Sequence, residues 1–281
     1  MSNNRQGGLM EEVLKHFGLL EPPFTVSPNP RYMFFTPQHK DALYGCQYTI
    51  EQKNGLAIIY GDVGTGKTTI ARHIYQKYSD DPSYSVAMMV TPDLKTDTAF
   101  LRGIMAEYGV ATKRSHAASI AAFRRAATKA YEQDKNLVLL VDEAQQMTKP
   151  MLEVIRVFLN FETNSSKFIQ VILFGQSELA TTIDSMRAIK SRVNVFGELK
   201  PMAESTTENM IDFRWRAAGG KEHPFTTDAI QALFVYSGGL PREIIKLASV
   251  SLMRAYVNKS PKVHVTMVVA AAKELRLKEG E

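Results

Sequence analysis

Short apolar segments alternate along much of the chain with longer segments whose apolar residues recur with helical spacing. The apolar segments, each typical of a buried β-strand, cover residues 56–60, 84–90, 137–141, 168–174 and 193–199. The segments with helical spacing lie near residues 67–78, 97–108, 116–133 and 149–162, after a first helical pattern that opens at Gln38. This alternation predicts an α/β fold in which helices flank a mostly parallel sheet on both faces.

The pattern changes at both ends of this α/β region. Residues 17–37 are rich in proline and aromatic residues, which predicts an ordered, extended lead-in. After Pro201 no further strand is predicted, and helical spacing returns near residues 204–218, 226–236, 240–256 and 265–278. We therefore expect a lead-in over residues 1–37, an α/β domain over residues 38–200 and a small all-α domain over residues 201–281.

A glycine-rich segment, Gly61-Asp-Val-Gly-Thr-Gly-Lys67-Thr68, follows the first predicted strand and precedes a predicted helix. It fits the phosphate-binding pattern G-x-x-x-x-G-K-[ST] in the context that this pattern requires. Glycines let successive backbone N–H groups turn toward one anion, and the helix N-terminus adds partial positive charge. We expect Lys67 to reach the β- and γ-phosphates of ATP and Thr68 to bind Mg²⁺. The expected nucleotide contacts here are Gly61, Asp62, Val63, Gly64, Thr65, Gly66, Lys67, Thr68 and Thr69.

Two acidic residues, Asp142 and Glu143, directly follow the apolar segment 137–141. A strand this apolar is buried on both faces, so the acids are expected at its exposed carboxyl end. Ligands of open α/β sheets bind beyond the carboxyl ends of the strands, which places Asp142 beside the phosphate-binding segment. Asp142 can then contact Mg²⁺ and Glu143 can polarise the attacking water, which predicts ATP hydrolysis. The alternative is an acidic helix cap after a core strand.

Composition and charge exclude several classes of protein. The 281 residues contain one cysteine, Cys46, and six scattered histidines, so neither a disulfide framework nor a structural metal site is expected. No segment has the length and apolarity of a membrane span or a signal peptide, which favours a cytoplasmic protein without a membrane partner. Thirty-four Lys and Arg residues against 29 Asp and Glu residues permit an anionic partner without requiring one.

With both motifs in place, the chain resembles the AAA+ ATPases over nearly its full length. The resemblance implies that Gln176, just past segment 168–174, orients the attacking water. It implies that Arg192 is the arginine finger that completes a neighbouring subunit's site, with Arg187 as the alternative. Gly238-Gly-Leu-Pro-Arg242 resembles the motif whose arginine approaches the γ-phosphate from the α-helical lid domain. The catalytic residues that the resemblance implies are Lys67, Glu143, Gln176, Arg192 and Arg242.

The lead-in resembles that of the ExeA subgroup of AAA+ proteins, through Phe17-Gly-Leu, Pro23-Phe24, Pro30-Arg-Tyr32 and His39-Lys-Asp-Ala-Leu43. Such lead-ins pack near the nucleotide, so Tyr32 and Phe34 are candidates to stack on adenine; both could equally be core residues. ExeA secretion proteins join this ATPase module to a membrane span and a peptidoglycan-binding region, and neither is predicted within these 281 residues. The module by itself resembles the transposon ATPases of the TnsC, TniB and MuB type, which assemble on duplex DNA.

A basic region fits the resemblance to DNA-assembling ATPases. No acidic residue lies between Glu107 and Glu132. On the helix predicted at 116–133, Ile120, Phe123 and Ala127 form an apolar stripe, and the basic residues lie off it. By resemblance to the TnsC group, the expected DNA contacts are Lys95, Thr112, Lys113, Arg114 and Lys149; the alternative is a solvated charged helix face.

We therefore expect an ATP- and Mg²⁺-dependent ATPase that binds the phosphates of duplex DNA and assembles on it as a ring or helical filament. The resemblance implies a role in transposition, in which a transposase and a target-selector protein would be further partners. A secretion or envelope ATPase without a role in DNA is one alternative, and a helicase loader or replication initiator is another.

Overall fold

The computed structural model describes residues 8–26, 29–92 and 96–277, except the side chain of Pro30. The chain divides into two compact units. One, here called the α/β unit, spans Pro37–Leu199, and the other, the helical unit, combines the described residues of Met1–Thr36 and Lys200–Glu281. The described lead-in thus shares a unit with the C-terminal helices. Its position relative to a bound nucleotide stays a prediction.

The α/β unit is built on a five-stranded sheet in which every strand pair is parallel. The strands are β1 (Leu56–Gly61), β2 (Tyr84–Met89), β3 (Asn136–Val141), β4 (Ile169–Gly175) and β5 (Val193–Leu199). Their order in the sheet is β2-β3-β4-β1-β5. The predicted α/β fold is confirmed, and the order places the carboxyl ends of β3, β4 and β1 side by side.

The described helices follow the strands in alternation and then continue alone. In chain order they are α1 (Leu9–Phe17), α2 (Pro37–Glu51), α3 (Lys67–Ser79), α4 (Asp97–Glu107), α5 (His116–Glu132), α6 (Lys149–Phe158), α7 (Ser177–Ser185), α8 (Arg187–Lys190), α9 (Glu204–Ala217), α10 (Thr227–Ser237), α11 (Pro241–Val257) and α12 (Val265–Glu274). Short 3₁₀ helices cover Pro30–Tyr32 and Ala144–Gln146. Among the described residues, no helix is both long and apolar enough to cross a membrane.

The core of the α/β unit forms because the three central strands, β3, β4 and β1, are largely apolar and buried on both faces. Phe123 and Ala127 of α5 are fully buried in the same cluster as Leu139 of β3 and Phe158 of α6, so the predicted apolar stripe of α5 faces the sheet. Burying a side chain such as Phe123 contributes about 2 kcal/mol, and this packing fixes the loops at the strand ends.

The helical unit has a separate core centred on Trp215 of α9. Phe24 of the lead-in lies 6.5 Å from the Trp215 ring, and Phe17 lies 6.0 Å from it. Phe24 also packs edge-on against Phe225, at 5.7 Å between ring centres. Phe24 is therefore a core residue of the helical unit, and Phe17 packs against that core.

The structure differs from the predicted pattern at α1, α7, α8 and the end of α6. The first three have nine, nine and four residues, which is shorter than the window over which helical periodicity can be recognised. Helix α6 was expected to reach residue 162 but ends at Phe158, because the chain then enters an antiparallel bridge between Glu162 and Lys167.

Candidate nucleotide site and basic surface

The phosphate-binding segment is a tight connection between β1 and α3. Gly61 has a φ of 154°, and a Cβ atom there would lie 2.2 Å from the Leu199 carbonyl oxygen of β5. Gly66 has a φ of 103°, in the left-handed region that other residues rarely adopt. Glycine is thus required at both positions. The predicted nucleotide contacts, Gly61 to Thr69, form this connection and the first turn of α3.

His39 of α2 is hydrogen-bonded to the backbone of this connection. Its Nε2 lies 2.7 Å from the Thr65 carbonyl oxygen, and the side chain is only 4% exposed. A Cβ atom on Gly66 would approach the same nitrogen to 2.9 Å. Burial lowers the pKa of His39, so the neutral imidazole is favoured, with Nε2 donating to the carbonyl. The sequence placed His39 in the ExeA-like lead-in but assigned it no contact with the phosphate-binding segment.

Lys67 is the first residue of α3, and its side chain turns back over the loop. Its Nζ donates to the Gly61 carbonyl at 2.7 Å and to the Asp62 carbonyl at 2.8 Å. The ammonium is therefore held at the concave side of the loop, where the backbone N–H groups and the α3 N-terminus also favour an anion.

Thr68 and Asp142 come together across 74 residues of sequence. The Thr68 hydroxyl donates to Asp142 Oδ2 at 2.7 Å, and Asp142 Oδ1 accepts from the Glu143 backbone N–H at 3.0 Å. Asp142 is 2% exposed, and burial raises its pKa although both hydrogen bonds oppose the rise. A hydroxyl beside a carboxylate is an oxygen donor pair that fits Mg²⁺, which takes few protein ligands. Among the described residues, no cluster of three or more His, Cys, Asp or Glu side chains could hold a metal ion.

Glu143 leaves β3 with a left-handed backbone, at a φ of 54°. Its Oε2 accepts from Gln145 Nε2 at 2.6 Å, and Gln145 Oε1 in turn accepts from the backbone N–H of Gln176 at 3.0 Å. Gln176 is the cap residue of α7, at the carboxyl end of β4. Since β4 lies between β1 and β3, Gln176 lies between the phosphate-binding segment and Glu143 in the sheet order. Sequence reasoning missed Gln145, whose role depends on a backbone turn that no pattern reveals.

The predicted arginines differ in how they are held. Arg192 Nη2 donates to Asn160 Oδ1 at 2.9 Å, and its Nη1 donates to the Ala188 carbonyl. Arg187, at the start of α8, is exposed, and its guanidinium makes no hydrogen bond or ion pair within the described part of the chain. Arg242 is the second residue of α11 in the helical unit and is exposed. The roles of the three arginines stay predictions.

Tyr32 and Phe34 both belong to the helical unit. Tyr32 is 2% exposed, and the Arg214 guanidinium carbon lies 5.5 Å from the centre of its ring. Burial raises the pKa of Tyr32 to about 12. Phe34 packs on Phe213 at 5.6 Å between ring centres. Both side chains have packing partners within this unit, and stacking on adenine stays a prediction for each.

Three helix N-termini of the α/β unit meet at one surface pocket of about 410 Å³. The first residues of α4, α5 and α6, which are Asp97, His116 and Lys149, all line it. Thr96 caps α4 by accepting from the Ala99 N–H at 3.1 Å, and Ser115 caps α5 by accepting from the Ala118 N–H at 3.1 Å. We call this pocket, together with Thr112, Lys113 and Arg114 in the loop before α5, the basic surface. It lies on the same unit as the phosphate-binding segment.

The basic surface carries four of the five residues predicted to contact DNA. Thr112, Lys113 and Arg114 are exposed in the loop before α5, and Lys149 is exposed at the start of α6. Lys113, Arg114 and Lys149 make no ion pair within the described part of the chain, whereas Glu153 pairs with Arg156 at 2.6 Å. Asp97 Oδ2 lies 3.9 Å from His116 Nδ1. The fifth residue, Lys95, lies outside the described residues.

Comparison with known proteins finds similarity to AAA proteins. A family model described as an AAA domain matches residues 50–183. General secretion pathway protein A of Aeromonas hydrophila is 32% identical over 260 residues, which are 91% of this chain and 47% of that protein. The chain thus spans about half the length of this relative.

Solved structures with the same fold are more distant in sequence. The ORC2 protein of Aeropyrum pernix, solved with ADPNP and ADP, has a TM-score of 0.66 at 14% identity, covering 90% of this chain and 71% of that one. The Drosophila ORC bound to DNA has a TM-score of 0.68 at 16% identity, covering 99% and 68%. The RuvB branch migration motor of Thermotoga maritima has a TM-score of 0.54 at 18% identity, covering 84% and 69%.

Proposed function

We propose that this protein, an AAA+ ATPase, binds duplex DNA in its ATP-bound state and assembles on that DNA as a homo-oligomer. The observation that carries the DNA-binding part is the meeting of three helix N-termini at one pocket that unpaired Lys149 lines, with unpaired Lys113 and Arg114 exposed in the loop that leads into α5. Helix N-termini and unpaired Lys or Arg side chains both attract phosphate, so their combination favours a polyanion.

In the proposed nucleotide site, backbone N–H groups of the phosphate-binding segment and Lys67 hold the phosphates. Thr68 and Asp142 hold Mg²⁺, which neutralises negative charge on the phosphates when it is bound. Glu143 accepts the proton of the attacking water, and Gln176 orients that water. The hydrogen bond between Thr68 and Asp142 supports this assignment, since it joins the two motifs that the proposal requires in one site.

The proposal includes assembly because one arginine in or near α8 is expected to act on the nucleotide site of a neighbouring subunit. An arginine that completes a neighbouring subunit's site stabilises the charge that develops during phosphoryl transfer, so turnover would require contact between subunits. The free guanidinium of Arg187 favours it beside Arg192 as the donor, because Arg192 would first have to leave Asn160. Mixing Glu143→Gln subunits with Arg192→Ala or with Arg187→Ala subunits tests this. The variant of the true finger should be inactive alone and regain turnover when Glu143→Gln subunits supply the missing arginine, whereas the variant of the other arginine should be active alone. If a variant inactive alone did not recover in the mixture, a finger acting between subunits would be contradicted.

The DNA-binding part is tested with a double substitution at the basic surface. Lys113→Gln with Lys149→Gln removes two of its positive charges, and Lys129→Gln with Lys135→Gln removes two from the opposite end of α5 as a control. We expect the first pair to weaken duplex binding about equally for all sequences and to reduce the salt dependence by about two phosphate contacts. The control pair should bind like wild type. Equal binding by both pairs and wild type would contradict the assignment of this surface.

A second candidate function is a secretion-associated ATPase whose partner is a protein. The observation that favours it is the 32% identity with General secretion pathway protein A over 91% of this chain. In that case the protein would not retain duplex DNA in any nucleotide state.

The resemblance to TnsC-type ATPases extends the first proposal to transposition, with a transposase and a target-selector protein as partners. Stimulation of a transposase encoded beside this protein would support that extension, and its absence would leave DNA binding alone.

A further inference from the structure

We infer that Gln145 is a positioning residue that orients Glu143 for catalysis and fixes it to the start of α7. This inference rests on the proposed role of Glu143 as the residue that accepts the proton of the attacking water. It goes beyond that role, because Gln145 itself belongs to neither of the nucleotide-binding motifs. The basis is the pair of hydrogen bonds that the Gln145 side chain makes in opposite directions.

The first hydrogen bond settles which oxygen of Glu143 is available for chemistry. Gln145 Nε2 donates to Glu143 Oε2 at 2.6 Å, a short hydrogen bond to a charged acceptor. Glu143 Oε1 has no hydrogen-bond partner within the described part of the chain. One carboxylate oxygen is thus held and the other stays open. The open oxygen can accept a proton from the water whose oxygen attacks the γ-phosphorus while the bond to the ADP oxygen breaks.

The backbone makes this contact possible. Glu143 adopts a φ of 54°, which costs about 1 kcal/mol for a residue with a side chain. The turn leads directly into the 3₁₀ helix Ala144–Gln146, so that a side chain two residues later reaches back to the Glu143 carboxylate. A local conformation of this cost persists where the surrounding structure holds it, and Ala144 is fully buried in the core of the α/β unit.

The second hydrogen bond joins this turn to the neighbouring strand. Gln145 Oε1 accepts from the Gln176 backbone N–H at 3.0 Å, at the point where β4 passes into α7. The two connections are also packed closely, since a Cβ atom on Gly175 would lie 3.1 Å from the Gln145 backbone nitrogen. One side chain therefore sets the separation between Glu143 and the residue predicted to orient the same water.

Two substitutions separate orientation of Glu143 from simple anchoring of α7. Gln145→Glu keeps an oxygen that can accept from Gln176 but places a carboxylate against Glu143. Gln145→Met has a similar shape and loses both hydrogen bonds. We expect both to lower kcat for ATP about 10- to 100-fold, Gln145→Glu more strongly, while KM and the Kd of a fluorescent ATP analogue change less than about twofold. If Gln145→Glu kept the wild-type kcat while Gln145→Met lost it, Gln145 would be only an anchor and the inference would be wrong.

The neighbouring Gln146 supplies a matched control. It is exposed and its side chain makes no hydrogen bond within the described part of the chain, so Gln146→Met should leave kcat unchanged. A thermal unfolding midpoint close to that of wild type for each variant verifies that the fold is retained. A kcat loss in Gln146→Met equal to that in Gln145→Met would assign the effect to the turn as a whole and overturn the inference.

Combining substitutions separates this inference from the proposed function. In a Glu143→Gln background, Gln145→Met should lower the residual turnover no further, because both changes affect one group. If Glu143→Gln alone retained wild-type turnover, the proposed role of Glu143 would fail, and the inference with it. If Glu143→Gln abolished turnover while Gln145→Glu and Gln145→Met did not lower kcat, only the inference would fail.

Discussion

The strands of the central sheet bury polar side chains at both of their ends, but these side chains have different roles. We call the side of the sheet where the strands begin the amino edge and the side where they end the carboxyl edge. At the amino edge, Gln170 is fully buried and its amide donates to Asn136 Oδ1 at 3.2 Å and to the Lys167 carbonyl at 3.0 Å. Gln170 Oε1 accepts from the Gly55 N–H at 2.8 Å, and Asn136 Nδ2 donates to the Ile50 carbonyl at 2.8 Å. This network is neutral and joins α2, β1, β3 and β4.

At the carboxyl edge the buried groups carry charge. Asp142 has a raised pKa because of its burial, and the Lys67 ammonium is held by loop carbonyls. Charged groups are more costly to bury than neutral amides, and they are tolerated where a ligand will use them. The comparison teaches that the amino edge stabilises the sheet with neutral contacts, whereas the carboxyl edge buries charge at a cost in stability, as the proposed nucleotide site requires.

The largest effect is expected from removing the ammonium at the carboxyl edge. Lys67→Ala should weaken ATP binding by about 100-fold or more, because it deletes the main side-chain contact to the phosphates. Its free energy of unfolding should change by no more than about 1 kcal/mol. Glu143→Gln should instead keep ATP affinity and lose turnover. Titration with a fluorescent nucleotide measures both, and equal affinity of Lys67→Ala and wild type would contradict the phosphate-site assignment.

The opposite result is expected at the amino edge. Gln170→Leu leaves the Gly55 N–H, Asn136 Oδ1 and the Lys167 carbonyl without their partner in a buried site. It should lower the free energy of unfolding by about 2–4 kcal/mol and leave the Kd for ATP unchanged under conditions where the protein is folded. Urea unfolding with a parallel nucleotide titration measures the pair. A change in ATP affinity without a loss of stability would reverse the comparison.

A smaller and opposite effect on stability is expected for Asp142→Asn. The amide can accept from the Glu143 N–H and donate to the Thr68 hydroxyl, so both contacts survive without charge. The folded pKa of Asp142 is raised above 3.8, so the fold favours the protonated carboxyl. The stability that this protonated form contributes is lost as pH rises through the folded pKa. At neutral pH the variant should therefore unfold at an equal or higher urea concentration, while Mg²⁺-dependent turnover is lost. Marked destabilisation by Asp142→Asn would show that the ionised carboxylate stabilises the fold.

The smallest effect concerns His39. Its folded pKa lies below 6.5, so the stability that the neutral side chain provides is complete above pH 6.5 and is lost as pH falls through the folded pKa. His39→Gln can still donate to the Thr65 carbonyl and should flatten the fall in stability between about pH 7.5 and 5.5. His264→Gln, at an exposed histidine, is the control and should not. Identical pH dependence in His39→Gln and wild type would argue against a neutral buried imidazole.

The sequence pattern predicted all five strands of the sheet. It did so most directly for β3, because a strand buried on both faces is apolar throughout, as Val138 to Val141 show. It brought Thr68 and Asp142 to one place because both follow strands whose carboxyl ends share an edge. Gln145 and His39 could not be found in this way, because each acts through a hydrogen bond that forms only when distant loops are packed together. The shared pocket of His116 and Lys149 likewise depends on helix packing that local periodicity does not reveal.

The most direct test of the proposed function is duplex binding as a function of nucleotide, measured by fluorescence anisotropy of a labelled duplex across a salt series. With a non-hydrolysable ATP analogue and Mg²⁺, wild-type protein should bind about tenfold or more tightly than with ADP. Affinity should fall steeply as salt rises, and Lys67→Ala should not respond to nucleotide. The absence of duplex binding with the ATP analogue, or equal binding with ATP analogue and ADP, would contradict ATP-dependent DNA binding.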